Sequence, residues 1–156
     1  MGIGAQINYD NRESRANMQP KPNSVWFAKM KNSVKHITVM PTSDDLLEKS
    51  VFSTDFFGLK CEPETLSYIR SLIYSDYFEK VKDLNSNGAT MEAISNDGVK
   101  NVKLIVPDKA TLEKYSDITN AYLAQNDILR KENAKLVSLR DWLLPMLMNG
   151  QIKVDD

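Results

Sequence analysis

TLEKYSDITNAYLAQNDILRKENAKLVSLRDWLLPMLM, Thr111 to Met148, contains no glycine, and its only proline is Pro145. Stepping by alternate threes and fours from Tyr115 meets Ile118, Tyr122, Gln125, Leu129, Glu132, Leu136, Leu139, Leu143 and Met146. Eight of these ten positions are apolar, so the stretch is predicted as one long helix with a seam of coiled-coil or helical-hairpin type. At about 1.5 Å per residue such a helix is about 50 Å long. That is longer than a small globule needs. Gln125 and Glu132 interrupt the seam, where polar residues lower stability while helping to fix register.

The end of that stretch, LRDWLLPMLMNG from Leu139 to Gly150, is too apolar for a free tail. It is also shorter than the roughly 20 apolar residues that crossing a membrane takes. Exposing Trp142, Leu143, Leu144, Met146, Leu147 and Met148 together would invite aggregation. Aromatic and methionine side chains are enriched at interface centres, so the cluster reads as a docking surface. The alternative is that it packs back on the chain's own globule. Pro145 lacks the N–H that would bond four residues back, and it is expected to kink or end the helix. Asn149-Gly150 would then let the chain leave in a left-handed cap, with Gln151 to Val154 returning as a short strand or extended tail.

Ahead of the helix the pattern changes. Residues 1–24 are polar and proline-punctuated, which reads as loop. Strands are predicted at Val25 to Met30, His36 to Pro41 and Ser50 to Phe57, the last closed by Gly58. Ser43-Asp44-Asp45 has the composition of a helix cap or turn. From Pro63 to Leu84 the residues Leu66, Ile69, Leu72 or Ile73, Tyr77 and Val81 recur at helical spacing, predicting one helix. Asn96-Asp97-Gly98 is a turn signal, and Val99 to Pro107 alternates like a strand. The fold class is therefore mixed α+β over residues 1–108, followed over 109–156 by a long projecting C-terminal helix with a short tail.

Composition bounds the function. The chain has 156 residues, 42% hydrophobic and 26% charged, the balance of a globular protein with one proper core. Cys61 is the single cysteine, so no internal disulfide or thiolate-rich metal site is expected, and a reducing compartment fits. The N-terminus has no cationic start followed by an apolar run, so no export signal is expected and a cytoplasmic location is. His36 is the single histidine. Pairing it with Cys61 as base and nucleophile is possible in principle, but a lone cysteine beside Phe56, Phe57 and Leu59 reads better as a small core residue. There is no phosphate-binding loop, no dinucleotide fingerprint and no adenosylmethionine signature. Intrinsic catalysis is not expected.

Several segments occur in a telling order: VWFAKMKNSVK (Val25 to Lys35), VFSTDFFGLK (Val51 to Lys60), SNGATMEAIS (Ser86 to Ser95), VKLIVP (Val102 to Pro107), then the long helix closing on LRDWLLPMLMNG. The series resembles the specificity subunit of type I restriction-modification systems from about Val25 onward. The closing run is its most specific part. The resemblance implies a target recognition domain of mixed α/β fold that reads one half of a split site in double-stranded DNA. It also implies a helix that sets the spacer and docks methyltransferase subunits, with the restriction subunit joining through the complex. S-adenosylmethionine and ATP would belong to those partner subunits, and this chain would bind no cofactor and no membrane. A full specificity subunit carries two recognition domains and two helices, so this chain looks half-length or truncated. It also has less chain ahead of Val25 than a complete recognition domain, and Asp55 where the family favours glycine.

Residue chemistry adds DNA-binding candidates. The net charge is only −1, yet Met1 to Ser43 carries Arg12, Arg15, Lys21, Lys29, Lys31 and Lys35 against Asp10 and Glu13, a surplus of four. Phosphate contact needs a local cationic patch rather than a basic whole. Arginine matches guanine edges, and asparagine or glutamine matches adenine. The candidates are Arg12, Arg15, Lys29, Lys31, Asn32, Lys35, His36, Asn87 and Thr90, with Asn17 and Gln19 upstream. Alternatively the lysines guard a solvated strand edge, and Asn87-Gly88 is simply a turn. The docking or seam candidates are Tyr115, Ile118, Tyr122, Leu129, Leu136, Leu139, Trp142, Leu143, Met146 and Leu147, through which a homodimer could form. The competing reading is a helical adaptor that binds protein partners without reading DNA.

Overall fold

VWFA, at Val25–Ala28, forms the middle of the main sheet. The computed structural model describes residues 7, 8, 10, 12, 13 and 15–151. Its elements in chain order are β1 (Ala16–Met18), β2 (Ser24–Ala28), β3 (His36–Val39), α1 (Asp44–Lys49), β4 (Phe52–Ser53), β5 (Phe56–Lys60), α2 (Leu66–Ile73), α3 (Asp76–Leu84), β6 (Ser86–Asn87), β7 (Ala93–Ile94), α4 (Asn96–Lys100) and α5 (Lys109–Met148). The architecture is mixed α+β with a long C-terminal helix.

Strand β2 lies between β3 and β5, antiparallel to both, and all five of its residues are buried. Alternation sends its side chains to two cores. On one face Val25 and Phe27 join Leu66, Ile73, Phe78, Ile94 and Leu123 from the helices and β7. On the other, Trp26 joins Ile37, Val39, Leu46 and Phe52 beneath α1 and the small β1–β4 sheet. Gly58 stands opposite Trp26 in the register, and a Cβ there would lie 2.7 Å from the indole ring. The glycine does not close a strand at Phe57. It sits inside β5, where it makes room for tryptophan. Thr54 and Asp55 divide the predicted Ser50 to Phe57 strand into β4 and β5.

Four further expectations are corrected. The helix predicted from Pro63 to Leu84 is two helices. Ser75 leaves the helical conformation (φ −86°, ψ 150°), and its Oγ accepts from the Phe78 N–H at 3.2 Å, starting α3 afresh. The turn lets Ile73 and Phe78 reach the same core. The predicted strand from Val99 to Pro107 does not form. Ser95 caps α4 by accepting from the Gly98 N–H at 3.1 Å, so Asn96-Asp97-Gly98 opens a helix rather than a turn, and that helix takes Val99. The rest has no neighbouring strand among the described residues; the Tyr77 hydroxyl donates to the Lys103 carbonyl at 2.9 Å and that of Tyr68 to the Ile105 carbonyl. Finally, Pro145 does not end α5, which runs on to Met148. One turn from the terminus, the missing N–H costs a single bond to an exposed carbonyl. The left-handed cap does form: Gly150 has φ +67°, and Gln151 N–H donates to the Met146 carbonyl at 2.9 Å. Of the expected tail, residues 152–154 lie outside the described residues.

Candidate nucleic-acid interface

Main-chain bonds bring Arg15, Lys29, Lys31, Asn87 and Thr90 to one end of the main sheet. Lys29 N–H donates to the Asp55 carbonyl at 2.8 Å, and Thr54 N–H to the Arg15 carbonyl at 2.8 Å. The Lys29 carbonyl accepts from Ile94 N–H at 2.9 Å, and Lys31 N–H donates to the Glu92 carbonyl at 2.9 Å. So Arg15, the β2–β3 turn and the β6–β7 hairpin lie side by side, and Asn87 and Thr90 stand exposed on that hairpin. Gly88 (φ +147°) allows its tight loop; a Cβ there would lie 2.2 Å from the Met91 carbonyl oxygen.

The turn is braced from beneath by α3. Asn32 adopts a left-handed conformation (φ 60°), and its N–H donates to Asp83 Oδ1 at 3.0 Å, leaving the residue exposed. The ammonium of Lys82 is fully buried and donates to the Ser33 carbonyl at 2.8 Å and to Glu79 Oε2 at 2.6 Å. His36 Nε2 meets the other Glu79 oxygen at 2.7 Å, and its ring packs on Tyr74. Its side chain is thereby engaged with α3, 7% exposed.

Carboxylates temper the charge. Arg15 pairs with Asp55 at 3.6 Å and Lys31 with Glu92 at 2.6 Å. The hydrogen bond and charge of Glu92 hold the Lys31 ammonium above the usual lysine range. Lys29 and Lys35 meet no carboxylate among the described residues. Arg12 is exposed. Gln19 is turned elsewhere, donating to the Leu47 carbonyl at 2.5 Å.

The long helix has two faces of opposite character. Its inner face carries Ser116, Asn120, Leu123, Asp127 and Arg130, and from Glu132 to Gly150 every residue but Leu143 and Met146 is exposed. The contacts there are mostly polar. Ser67 Oγ donates to Asn120 Oδ1 at 2.8 Å, and the hydroxyls of Ser71 and Tyr115 lie 2.7 Å apart. Asp127, 6% exposed, accepts from Ser43 Oγ at 2.8 Å, Thr42 Oγ1 at 3.2 Å and Arg130 Nη2 at 2.8 Å. Arg130 also grips both oxygens of Asp45, at 2.5 and 2.8 Å, and Lys131 adds an ion pair to Asp127 at 3.3 Å. Sequence reasoning missed this latch because its residues read as a solvated face.

At 3.6 residues per turn the apolar seam lies about 180° around from that inner face. Ile118, Tyr122, Leu129, Leu136, Leu139 and Leu147 on it are exposed, as is Trp142 to its side, while Leu143 and Met146 are half-buried. The closing cluster does not pack back on the globule. Among the described residues no group of His, Cys, Asp or Glu could hold a metal ion, and no helix is long and apolar enough to cross a membrane. No protein-family model matches the chain, and no curated protein matches it.

Proposed function

We propose that the chain is a DNA sequence-specifying subunit of a type I restriction-modification complex. It would work in the cytoplasm with no catalytic activity or cofactor of its own. The observation that carries this reading is the outward apolar stripe on α5, exposed at Ile118, Tyr122, Leu129, Leu136, Leu139 and Leu147 of a 40-residue helix. A stripe of that kind on a monomer marks an interaction surface. It supports docking of methyltransferase subunits, and pairing with a second copy through contacts of coiled-coil type. The globular end would read one half of a bipartite site, with Lys29, Lys31 and Lys35 on phosphates and Asn32, Asn87 and Thr90 toward base edges. Beyond Lys131 the helix extends about 25 Å at 1.5 Å per residue, an arm suited to setting a spacer. S-adenosylmethionine and ATP would be held by the methyltransferase and restriction subunits.

The test is to combine the chain with a type I methyltransferase subunit from the same source, isolate the complex by size exclusion, and map the adenines it methylates. A split motif with two identical halves is the expected result. A stable complex that methylates no defined motif would sink DNA reading and leave the adaptor. The carboxylates of Asp55, Asp83 and Glu92 at the cationic end favour that second reading.

Lys31→Ala with Lys35→Ala is expected to weaken DNA binding and to lower the salt slope by about one for each phosphate no longer neutralised. Lys31 is already paired with Glu92 whereas Lys35 meets no carboxylate among the described residues, so Lys35 should carry the larger share of the effect. A binding isotherm repeated across a salt series gives both quantities. An unchanged slope would take these lysines off the DNA.

A further inference from the structure

Strand β3 is an edge of the main sheet, and the register shows which of its main-chain groups are free. Ala28 N–H donates to the Lys35 carbonyl at 3.0 Å, and the paired positions that follow are Trp26 with Ile37 and Ser24 with Val39. In an antiparallel ladder the bonded residues alternate, so the N–H and C=O groups of His36, Thr38 and Met40 point away from β2. Met40 is closed off. Its N–H donates to Ser43 Oγ at 3.1 Å, and its carbonyl accepts from Ser43 N–H at 3.0 Å. The main-chain groups of His36 and Thr38 have no partner among the described residues.

His36, Ile37 and Thr38 line a cavity of about 230 Å³ together with residues of α2 and α5. Met40 and Leu123 give it apolar walls, and Arg70, Tyr74 and Asn126 give it polar ones. Arg70 is half-buried and lies over the Tyr74 ring at 4.3 Å, but meets no carboxylate among the described residues. The other guanidinium at the cavity, Arg130, is occupied by Asp45 and Asp127. The cavity thus offers an unpaired strand edge and one uncommitted guanidinium.

We propose that the β3 edge receives an extended segment of a partner protein that pairs with the main chain of His36 and Thr38 and places a carboxylate side chain on Arg70. A small anion would satisfy Arg70 and leave the strand edge unused. An extended acidic segment uses both. Strand addition takes its affinity from main-chain bonds and its specificity from the pockets beside them, and a guanidinium binds a carboxylate through two parallel bonds.

The probe is an acetylated, amidated Thr-Val-Glu-Val-Thr-Ser peptide titrated into the isotope-labelled full chain. Controls are the same peptide with glutamine for glutamate, and sodium acetate. The expected result is that the amide resonances of His36 and Thr38 shift most and exchange more slowly. The glutamine peptide should bind about tenfold more weakly, or ~1.4 kcal/mol, and Arg70→Gln should erase that difference. Thr38→Pro removes an N–H that β2 does not use, which an edge strand tolerates, and should abolish binding of both peptides. Three outcomes overturn the proposal: no shift at His36 and Thr38 up to millimolar peptide, equal affinity for the two peptides, or acetate alone reproducing the Thr38 shift. Should Arg70→Gln fail to fold, the two peptides against the unmodified chain and Thr38→Pro still decide.

Discussion

Asp127→Ala should destabilise the chain by about 3 kcal/mol, the order expected when one member of a buried charged network is removed. For a domain of this size that is a fall of roughly 10 °C in Tm. The loss arises because Ser43, fully buried, is left without its acceptor, and Arg130 and Lys131 each lose a partner. Arg130 keeps Asp45, which limits the damage. Asp127→Asn retains the shape and should cost less. Acid should act on the same latch. Burial raises the proton affinity of Asp127, but Arg130, Ser43 and Lys131 outweigh it and hold the carboxyl below its usual range. Asp45 is also lowered, chiefly by its hydrogen bond to Arg130. Carboxyls depressed in the folded state stabilise it fully above their unfolded value, about 4, and that stability drains as pH falls through the lower folded values. Thermal unfolding followed by circular dichroism from neutral to acid pH measures both effects. An alanine variant as stable as the parent at neutral pH would mean that α5 is held by Leu123 and its apolar neighbours alone.

Leu129→Asp or Leu136→Asp should turn a dimer into a monomer while leaving the fold intact. Both side chains are substantially exposed, 45% and 61%, so neither supports the chain's own core. In a paired helix each would be buried, and a carboxylate there would weaken association by roughly a hundredfold or more, taking about 3 kcal/mol for an unpaired buried charge. Light scattering gives the mass and circular dichroism the unchanged Tm. The same mass before and after the substitution would remove the outward stripe as the dimer contact.

The long helix was legible in the sequence because glycine is absent and the apolar residues recur with one period; the predicted start at Thr111 lies two residues inside the observed one at Lys109. The strands around Val25 and His36 were legible from β-branched and aromatic clustering. The break at Ser75 was not, because Leu66, Ile69, Ile73, Tyr77 and Val81 keep helical spacing straight through it. Only the capping chemistry of Ser75-Asp76 marks it. Alternation from Val99 to Pro107 misled for a different reason: a strand needs a neighbour, and none of the strands among the described residues pairs with it. For the candidate interface, counting cations along the first 43 residues could not see Asp55, Asp83 and Glu92, which arrive from later in the chain. The inner face of α5 was invisible to a search for apolar periodicity because Leu123 is its one buried apolar residue, and Asn120, Asp127 and Arg130 bond to the globule through polar groups.

Leu123 shares a core with Val25 and Phe78, so the first half of α5 belongs mechanically to the globule. A chimaera joined at residue 108 would take Leu123, Asp127 and Arg130 away from the surfaces they close, and would have to rebuild that interface with foreign residues. One joined at Glu132 would cut only exposed helix. The exchangeable part is therefore the outer arm, whose reach can be altered without disturbing the core. Length and direction are coupled in such an arm: seven added residues extend it by about 10 Å and turn its stripe by only about 20°, whereas two added residues would swing the stripe most of the way to the opposite side.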